Sequence, residues 1–192
     1  MTAVLAGLAL LVAGFFFEKF SARQHRVLSA LYGGAFCAVV AVLFTAETAP
    51  DLRTAILVAA PVAGVALMSW LLVTGICLGG ILMTVALAYF FSFVLPLPIP
   101  TLYWGYATLI VGICAVWKKH LAAQILECFT AGLFTAAGAL LLWLRSFDGF
   151  FSVFADPTAH LTANAVFAAI TLIVAVGCAV YRIKTNRVEE VK

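Results

Sequence analysis

The chain has 192 residues, of which 66% are hydrophobic and 10% charged, with a formal net charge of +3. Soluble domains carry roughly 45–50% apolar and about 25% charged residues, so this composition excludes a soluble globular fold. A bilayer core is about 30 Å thick and needs about 20 helical residues per crossing, which leaves room for six or seven helices and for no separate soluble domain. We therefore predict an all-α fold, a polytopic transmembrane helical bundle.

Apolar segments, taken in chain order, predict a single transmembrane domain over residues 1–192 with about seven spans. Their approximate bounds are 3–17, 27–46, 54–71, 75–97, 102–117, 121–144 and 162–181. The first segment has no basic residue before it, which is the reverse of a cleavable signal peptide and predicts a retained helix. The apolar run from Thr54 to Leu97 would form one helix of about 66 Å, twice the membrane thickness, so we expect it to fold back between Ser69 and Gly75.

Polar connections separate the predicted spans. In the loop ETAPDLR, residues 47–53, the carboxylate of Asp51 is expected to cap the next helix by accepting amide N–H groups of its first turn. Alternate prolines in LPLPIP, residues 95–100, predict an extended outer connection, because proline supplies no backbone donor to a helix.

The longest loop, from Arg145 to His160, contains phenylalanines at a spacing suited to one face of a short helix. These are Phe147, Phe150, Phe151 and Phe154. The pattern predicts a helix in the membrane interface with its aromatic side chains in the lipid. Asp156 and Pro157 are expected to be the cap and the first residue of the last helix.

Lysine and arginine are concentrated on one side of the predicted membrane, and this bias predicts the cytoplasmic face. Nine of the 11 basic residues fall on that side: Lys19, Arg23, Arg26, Lys118, Lys119, Arg182, Lys184, Arg187 and Lys192. The other two, Arg53 and Arg145, fall on the opposite side. The N-terminus is therefore predicted outside and the C-terminus in the cytoplasm. A six-helix alternative would place Lys118 and Lys119 opposite the first basic turn, so the charges favour seven spans.

Small residues recur in the predicted spans. The spans form three hairpins and a final helix, the hairpins being residues 3–46, 54–97 and 102–144. Each second helix begins with small residues, including Gly75-x-x-x-Gly79 and Ala30-x-x-x-Gly34. Such residues let helix backbones approach closely in lipid, where dispersion replaces the hydrophobic effect. Packing within the chain and an oligomer interface are both open interpretations.

Four stretches carry a resemblance to a known family. They are GLALLVAGFFFEKFSARQHRVLSALYGGAF, AGVALMSWLLVTGICLGGILMTVALAYFF, WKKHLAAQILECFTAGLFTAAGALLL and CAVYRIKT. The chain resembles the poorly characterised family of seven-helix membrane proteins typified by seven-transmembrane superfamily member three, with Gly-rich hairpins and a last helix ending in a basic segment. The resemblance implies the same topology and no catalytic signature. The second hairpin turn departs from the pattern because it has no basic residue.

Glu127 is the one formal charge inside a predicted span. A carboxylate in the membrane is a functional candidate, because its burial costs free energy. Gln124, three residues earlier, and Thr135, eight residues later, lie near the same helix face. These three residues predict an ion or proton path. The alternative is a structural ion pair between Glu127 and a nearby cation: Lys118, Lys119 or Arg26.

Histidines and cysteines do not have the spacing of a metal site. His25 and His120 lie in two predicted cytoplasmic turns, where they either form a pH-sensing pair or face water and headgroups, and His160 lies outside. The cysteines are spread one per helix: Cys37, Cys77, Cys114, Cys128 and Cys178. We interpret them as small apolar residues.

No catalytic motif is present in the sequence, so we predict no enzyme, catalytic residue, cofactor or metal. The basic turns RQHR and KKH suit an anionic leaflet of the lipid bilayer, and nucleic-acid binding is not needed to explain them. We expect a small ion or solute transporter or channel, multi-pass in a bacterial inner membrane, with Pro61 opening the third helix beside a cavity. The alternative is a non-enzymatic scaffold or assembly subunit, which would pack through Gly/Ala-rich faces against a second copy or another membrane protein.

Overall fold

The computed structural model describes residues 2–20, 25–45, 49–89, 91–92 and 100–190. Within these ranges the chain forms eight helices and no strand. The helices are α1 (Thr2–Phe20), α2 (His25–Phe44), α3 (Pro50–Trp70), α4 (Leu72–Tyr89), α5 (Thr101–Trp117), α6 (Lys119–Leu144), α7 (Phe147–Ala155) and α8 (Leu161–Glu190). The prediction of an all-helical fold is confirmed.

Among the residues that the structure describes, five helices are long and apolar enough to cross a membrane. Their apolar segments are Arg26–Phe44, Pro50–Trp70, Leu72–Tyr89, Lys119–Leu144 and Leu161–Ile183. Two further apolar segments, Thr2–Phe16 and Leu102–Trp117, are shorter. Large apolar side chains such as Trp70, which is 89% exposed, cover much of the surface, as expected where lipid is the solvent. These lengths and compositions fit a multi-pass membrane protein.

The long apolar run breaks at Leu71, inside the interval predicted for the turn. Helix α3 ends at Trp70 and α4 begins at Leu72, while Leu71 has φ −94° and ψ 66°, outside the helical region. The fourth helix starts three residues earlier than the predicted residue 75, because the break takes a single residue. The proline-rich connection lies outside the described residues, apart from Pro100, which is the N-cap residue of α5.

The predicted cap of α3 was wrong. Ala49 is the N-cap residue, it makes no side-chain capping hydrogen bond, and Pro50 begins the helix. Proline is tolerated there because the first amide of a helix has no partner in any case. Asp51 lies inside the first turn, where its carboxylate still stabilises the positive end of the helix dipole.

The chain packs as two compact units. Unit 1 contains Met1–Ser21, Ala88–Ile99 and Glu127–Lys192, and unit 2 contains Ala22–Leu87 and Pro100–Leu126. Helix α6 contributes its first residues to unit 2 and the remainder to unit 1. The single transmembrane domain stays a prediction.

Close backbone contacts between α2 and α3 organise unit 2. An added Cβ on Gly64 would lie 2.5 Å from the carbonyl oxygen of Gly33 and 2.8 Å from Sγ of Cys37, so the contact has no room for a larger residue. Gly33 also lies beside Met68, whereas Cys37, one turn later in α2, lies beside Gly64, one turn earlier in α3. The two helices therefore run antiparallel.

Helix α4 runs in the same direction as α2. Ser29 of α2 lies beside Gly75, and Tyr32, further along α2, lies beside Gly79, further along α4. Because α3 runs opposite to α2 and α4 runs with it, the chain reverses direction at Leu71. The hairpin expected in this apolar run is therefore present.

In unit 1, α6 packs against α1 through small residues. An added Cβ on Gly7 would lie 3.0 Å from the carbonyl oxygen of Gly138, and one on Gly14 would lie 2.5 Å from Oγ1 of Thr135. Gly14 is later in the chain than Gly7, and Thr135 is earlier than Gly138. Helices α1 and α6 are therefore antiparallel.

Helix α8 packs against α6 in the same antiparallel sense. Leu140 of α6 packs in one core cluster with Ala163 near the start of α8, and Gly132 lies against the backbone of Thr171 further along α8. Since α1 and α8 both run opposite to α6, they run in the same direction as each other.

A short helix, α7, is present in the loop where one was predicted, and its placement in the membrane interface stays a prediction. Ser146 is its N-cap residue and accepts a hydrogen bond from the amide of Gly149 at 3.3 Å. The expectation that all its aromatic side chains face lipid was wrong. Phe150 and Phe154 pack towards the core around Val153, whereas Phe147 and Phe151 are exposed. Residues four apart share one face of a helix, so the two pairs lie on different faces.

The predicted start of the last helix was also wrong. Asp156 accepts hydrogen bonds from the amide of Ala159 and the hydroxyl of Thr158, as a cap would. However, residues 157–160 form turns and α8 begins at Leu161. Asp156 therefore stabilises the α7–α8 turn, and Pro157 is not the first residue of the helix.

Candidate functional site

Glu127 lies in the buried part of α6. It is eight residues past Lys119, the first residue of the helix, or about 12 Å along the axis. Leucine, alanine, glutamine and glutamate are good helix formers, so the sequence around Glu127 favours an unbroken helix. The residue is 0% exposed. A carboxylate that has lost its water requires a compensating charge or hydrogen bonds.

Arg182 of α8 supplies that charge. Its Nη1 lies 2.5 Å from Oε2 of Glu127, and the arginine side chain is 15% exposed. The cations expected from the sequence, Lys118, Lys119 or Arg26, were the wrong ones. Arg182 is 55 residues from Glu127 in the chain, and antiparallel packing of α6 and α8 brings the two together.

The other two residues of the predicted path have different surroundings. Gln124 is exposed and belongs to unit 2, whereas Glu127 is fully buried in unit 1. Thr135 is half-buried, donates its hydroxyl to the carbonyl of Ala131 at 2.8 Å and lies beside Gly14 of α1. The ion pair therefore forms the centre of the candidate site, and Arg182 is the member that sequence reasoning missed.

One face of α8 carries a series of polar residues. Asn164, Thr171, Cys178 and Arg182 are spaced by seven, seven and four residues, which places them on one side of the helix. Asn164, Thr171 and Cys178 are 3%, 4% and 1% exposed. The seven-residue spacing of Asn164, Thr171 and Cys178 is a pattern in the sequence that indicates one buried face of the helix.

Hydrogen bonds satisfy two of these residues locally. The side-chain Nδ2 of Asn164 donates to the carbonyl of Val153 at 2.8 Å and so connects α7 to α8. The hydroxyl of Thr171 donates to the carbonyl of Phe167 at 2.8 Å, one turn earlier in its own helix. The end of this face near Arg182 therefore carries its only described ion pair, whereas the other end serves packing.

Two thiols lie next to the ion pair. Cys128 follows Glu127 on α6, and its side chain lies next to that of Cys178 on α8. Both residues are buried, and neither is in a disulfide. The Cys128–Cys178 contact and the Glu127–Arg182 pair together connect the same ends of α6 and α8. Among the described residues, no group of three or more His, Cys, Asp and Glu side chains could hold a metal ion.

The histidines singled out earlier lie at the surface where they are described. His120 is at the start of α6 and His160 is in the α7–α8 turn, and both are exposed. The side chain of His25 lies outside the described residues, so a pairing of His25 with His120 stays a prediction.

No family model, curated protein or solved structure matches the chain. The resemblance to the seven-helix family therefore stays a prediction.

Proposed function

We propose that this protein carries a small ion or a proton across a membrane, with Glu127 and Arg182 in its path. The observation that supports the proposal is the fully buried carboxylate paired with Arg182 between two apolar helices. Removing a charge from water costs several kcal/mol per ion, and a pair of apolar side chains can hold two helices together equally well. Intramembrane charges commonly mark ion and proton paths for this reason.

The ion pair would hold α6 and α8 together only while Glu127 is charged. A proton or another cation that binds the Glu127 carboxylate would remove the counter-charge of Arg182. The guanidinium would then be buried without compensation and would move towards water, separating the ends of α6 and α8. Protonation would in this way be coupled to opening, as population shift between two states requires.

We further propose seven spans, with the N-terminus outside and the C-terminus in the cytoplasm, in a bacterial inner membrane. The charge bias of nine basic residues against two supports this orientation. The helix directions within each unit support the count. In unit 1, α1 and α8 run opposite to α6, and in unit 2, α2 and α4 run opposite to α3, as alternate crossings require.

A second candidate function is that of a scaffold or assembly subunit. Glycines 33, 64, 75 and 132 leave no room for a Cβ and pack within the chain. By contrast, an added Cβ on Gly105, Gly112 or Gly177 would meet nothing within 4 Å among the described residues. Open small-residue surfaces of this kind can receive a helix of a second copy or of another membrane protein.

Flux measurements in liposomes test the proposal. Wild type, Glu127→Gln and Asp148→Asn would be reconstituted in parallel and assayed for protons, sodium, potassium and chloride. Asp148→Asn is the matched control, since it makes a similar carboxylate-to-amide change at an exposed position of α7. We expect flux in wild type and in the control. We expect at least a tenfold loss in Glu127→Gln, because glutamine cannot take up and release a proton or cation and therefore cannot alternate between the two states.

Two results would contradict the proposed transport function. Absence of flux in wild type for every ion would favour the scaffold, and co-purifying partners would then be sought. Undiminished flux in a monodisperse, helical Glu127→Gln variant would remove Glu127 from the path.

A further inference from the structure

A groove in unit 2 has three consecutive basic side chains on its wall. It has a volume of about 500 Å³ and lies where α5 ends and α6 begins. Lys118 interrupts the two helices, with φ −116° and ψ 50°, and Lys119 and His120 begin α6. All three side chains are exposed, and no acidic residue is among those lining the groove. The wall therefore suits an anion.

The remaining wall of the groove is apolar and comes from three helices. Val73 belongs to α4, Val116 and Trp117 to α5, and Leu121 to α6. Trp117 is 81% exposed. Tryptophan favours the level of the lipid headgroups, with its ring against the hydrocarbon and its N–H towards water. The groove thus combines a cationic end with an apolar end at a position suited to the membrane interface.

We propose that this groove binds an anionic phospholipid. Lys118 and Lys119 would bind the phosphodiester, with His120 beside it, and an acyl chain would lie along Val73 and Val116. Basic pockets between membrane helices are suited to anionic headgroups, since each lysine near the surface contributes about a fivefold gain in affinity. The apolar wall favours a lipid over a free phosphate, which would contact only the basic end.

A second groove in the same unit provides an internal control. It has a volume of about 400 Å³ and is lined by Arg26, Ser69, Trp70 and Leu72. This groove also has an exposed tryptophan, but it has one cation where the first has three basic residues. General attraction to an anionic membrane would act on both grooves, whereas a lipid site would depend on the first.

Native mass spectrometry of the full chain can measure the binding. The protein would be kept in phosphatidylcholine nanodiscs and titrated with phosphatidylglycerol. For the variant carrying both Lys118→Gln and Lys119→Gln we expect about a 25-fold weaker binding, the product of two fivefold effects. Arg26→Gln should change the affinity less than twofold. Both lysines are exposed, so the double variant keeps the fold.

Competition separates a lipid from a free phosphate. Inorganic phosphate and glycerol phosphate should not displace the lipid at millimolar concentration, and Val73→Gln should weaken lipid binding. Displacement by phosphate, with no effect of Val73→Gln, would replace the lipid with a soluble phosphate compound. Equal binding of phosphatidylglycerol and phosphatidylcholine, or an equal loss in Arg26→Gln and in the double lysine variant, would overturn the proposal.

Discussion

Oε2 of Glu127 in α6 lies 2.5 Å from Nη1 of Arg182 in α8. The Glu127 side chain is fully buried and the Arg182 side chain is 15% exposed. Breaking such a pair leaves an uncompensated charge, which typically costs about 3–5 kcal/mol, whereas replacing both partners with apolar residues is often neutral. We expect Arg182→Leu to destabilise the protein by about 3 kcal/mol and the double variant Glu127→Leu/Arg182→Leu to recover most of that loss. The free energies of unfolding of the single and the double variant would be measured in mixed micelles. Additive losses in the double variant would show that the two residues act independently.

The contact between Gly33 and Gly64 predicts a steric limit on α3. An added Cβ on Gly64 would lie 2.5 Å from the Gly33 carbonyl oxygen, so Gly64→Ala must push α2 and α3 apart. We expect a loss of about 1–3 kcal/mol, the usual effect of overpacking. Gly105→Ala, with nothing within 4 Å, is the control and should change stability by less than about 1 kcal/mol. Melting temperatures in one detergent compare them, and equal melting temperatures would argue against the packing of α2 on α3.

The thiol contact between α6 and α8 predicts a cross-link. The side chains of Cys128 and Cys178 lie next to each other, so a mild oxidant that accepts two electrons and two protons from the thiols should join them in a disulfide. We expect a faster-migrating monomer on a non-reducing gel after treatment with copper phenanthroline. Cys128→Ser and Cys178→Ser should each abolish the shift, and Cys114→Ser, at an exposed position of α5, should not. A shift that survives in either of the first two variants would place other cysteines together.

The proposed orientation predicts which loops react from outside the cell. In a cysteine-free background, Asp148→Cys on α7 should react with a membrane-impermeant maleimide in intact cells. Lys118→Cys, in the α5–α6 turn, should react only after permeabilisation. Labelling of both positions in intact cells would contradict the count of spans between them, and the reverse pattern would invert the topology.

Acid should loosen the α7–α8 turn through Asp156. Hydrogen bonds from the amide of Ala159 and the hydroxyl of Thr158 hold the pKa of Asp156 below its ordinary value. The carboxylate therefore stabilises the turn fully above the ordinary aspartate pKa, about 3.9, and this contribution is lost as pH falls through the lower folded pKa. The protection of the Ala159 amide against exchange, relative to its intrinsic rate at the same pH, should fall in that acidic range in wild type. Asp156→Asn, which keeps an acceptor oxygen, should show no such pH dependence of exchange at Ala159. A pH dependence in this variant identical to that of wild type would exclude Asp156 as the group responsible.

The positions of the helices followed from the sequence because they depend on local properties. In lipid, backbone donors and acceptors must be satisfied within each segment, so a long apolar run becomes a helix wherever it occurs. The break near residue 71 followed from length in the same way, since the run from residue 54 is too long for one crossing. Which face of α7 packs on the core did not follow from the sequence, because phenylalanines at helical spacing suit lipid and core equally well. Tertiary packing decides it, for example by placing the ring centroid of Phe167 5.1 Å from that of Phe154.

The candidate site shows the same distinction between what the local sequence determines and what tertiary packing determines. The sequence identified Glu127, since a carboxylate within an apolar run stands out without any knowledge of the fold. Its partner depended on how α6 and α8 pack, because Arg182 lies 55 residues away and, in the sequence, looks like one more basic residue after the last span. Composition thus specifies which residues are costly to bury, while packing between distant segments selects the charge that compensates them.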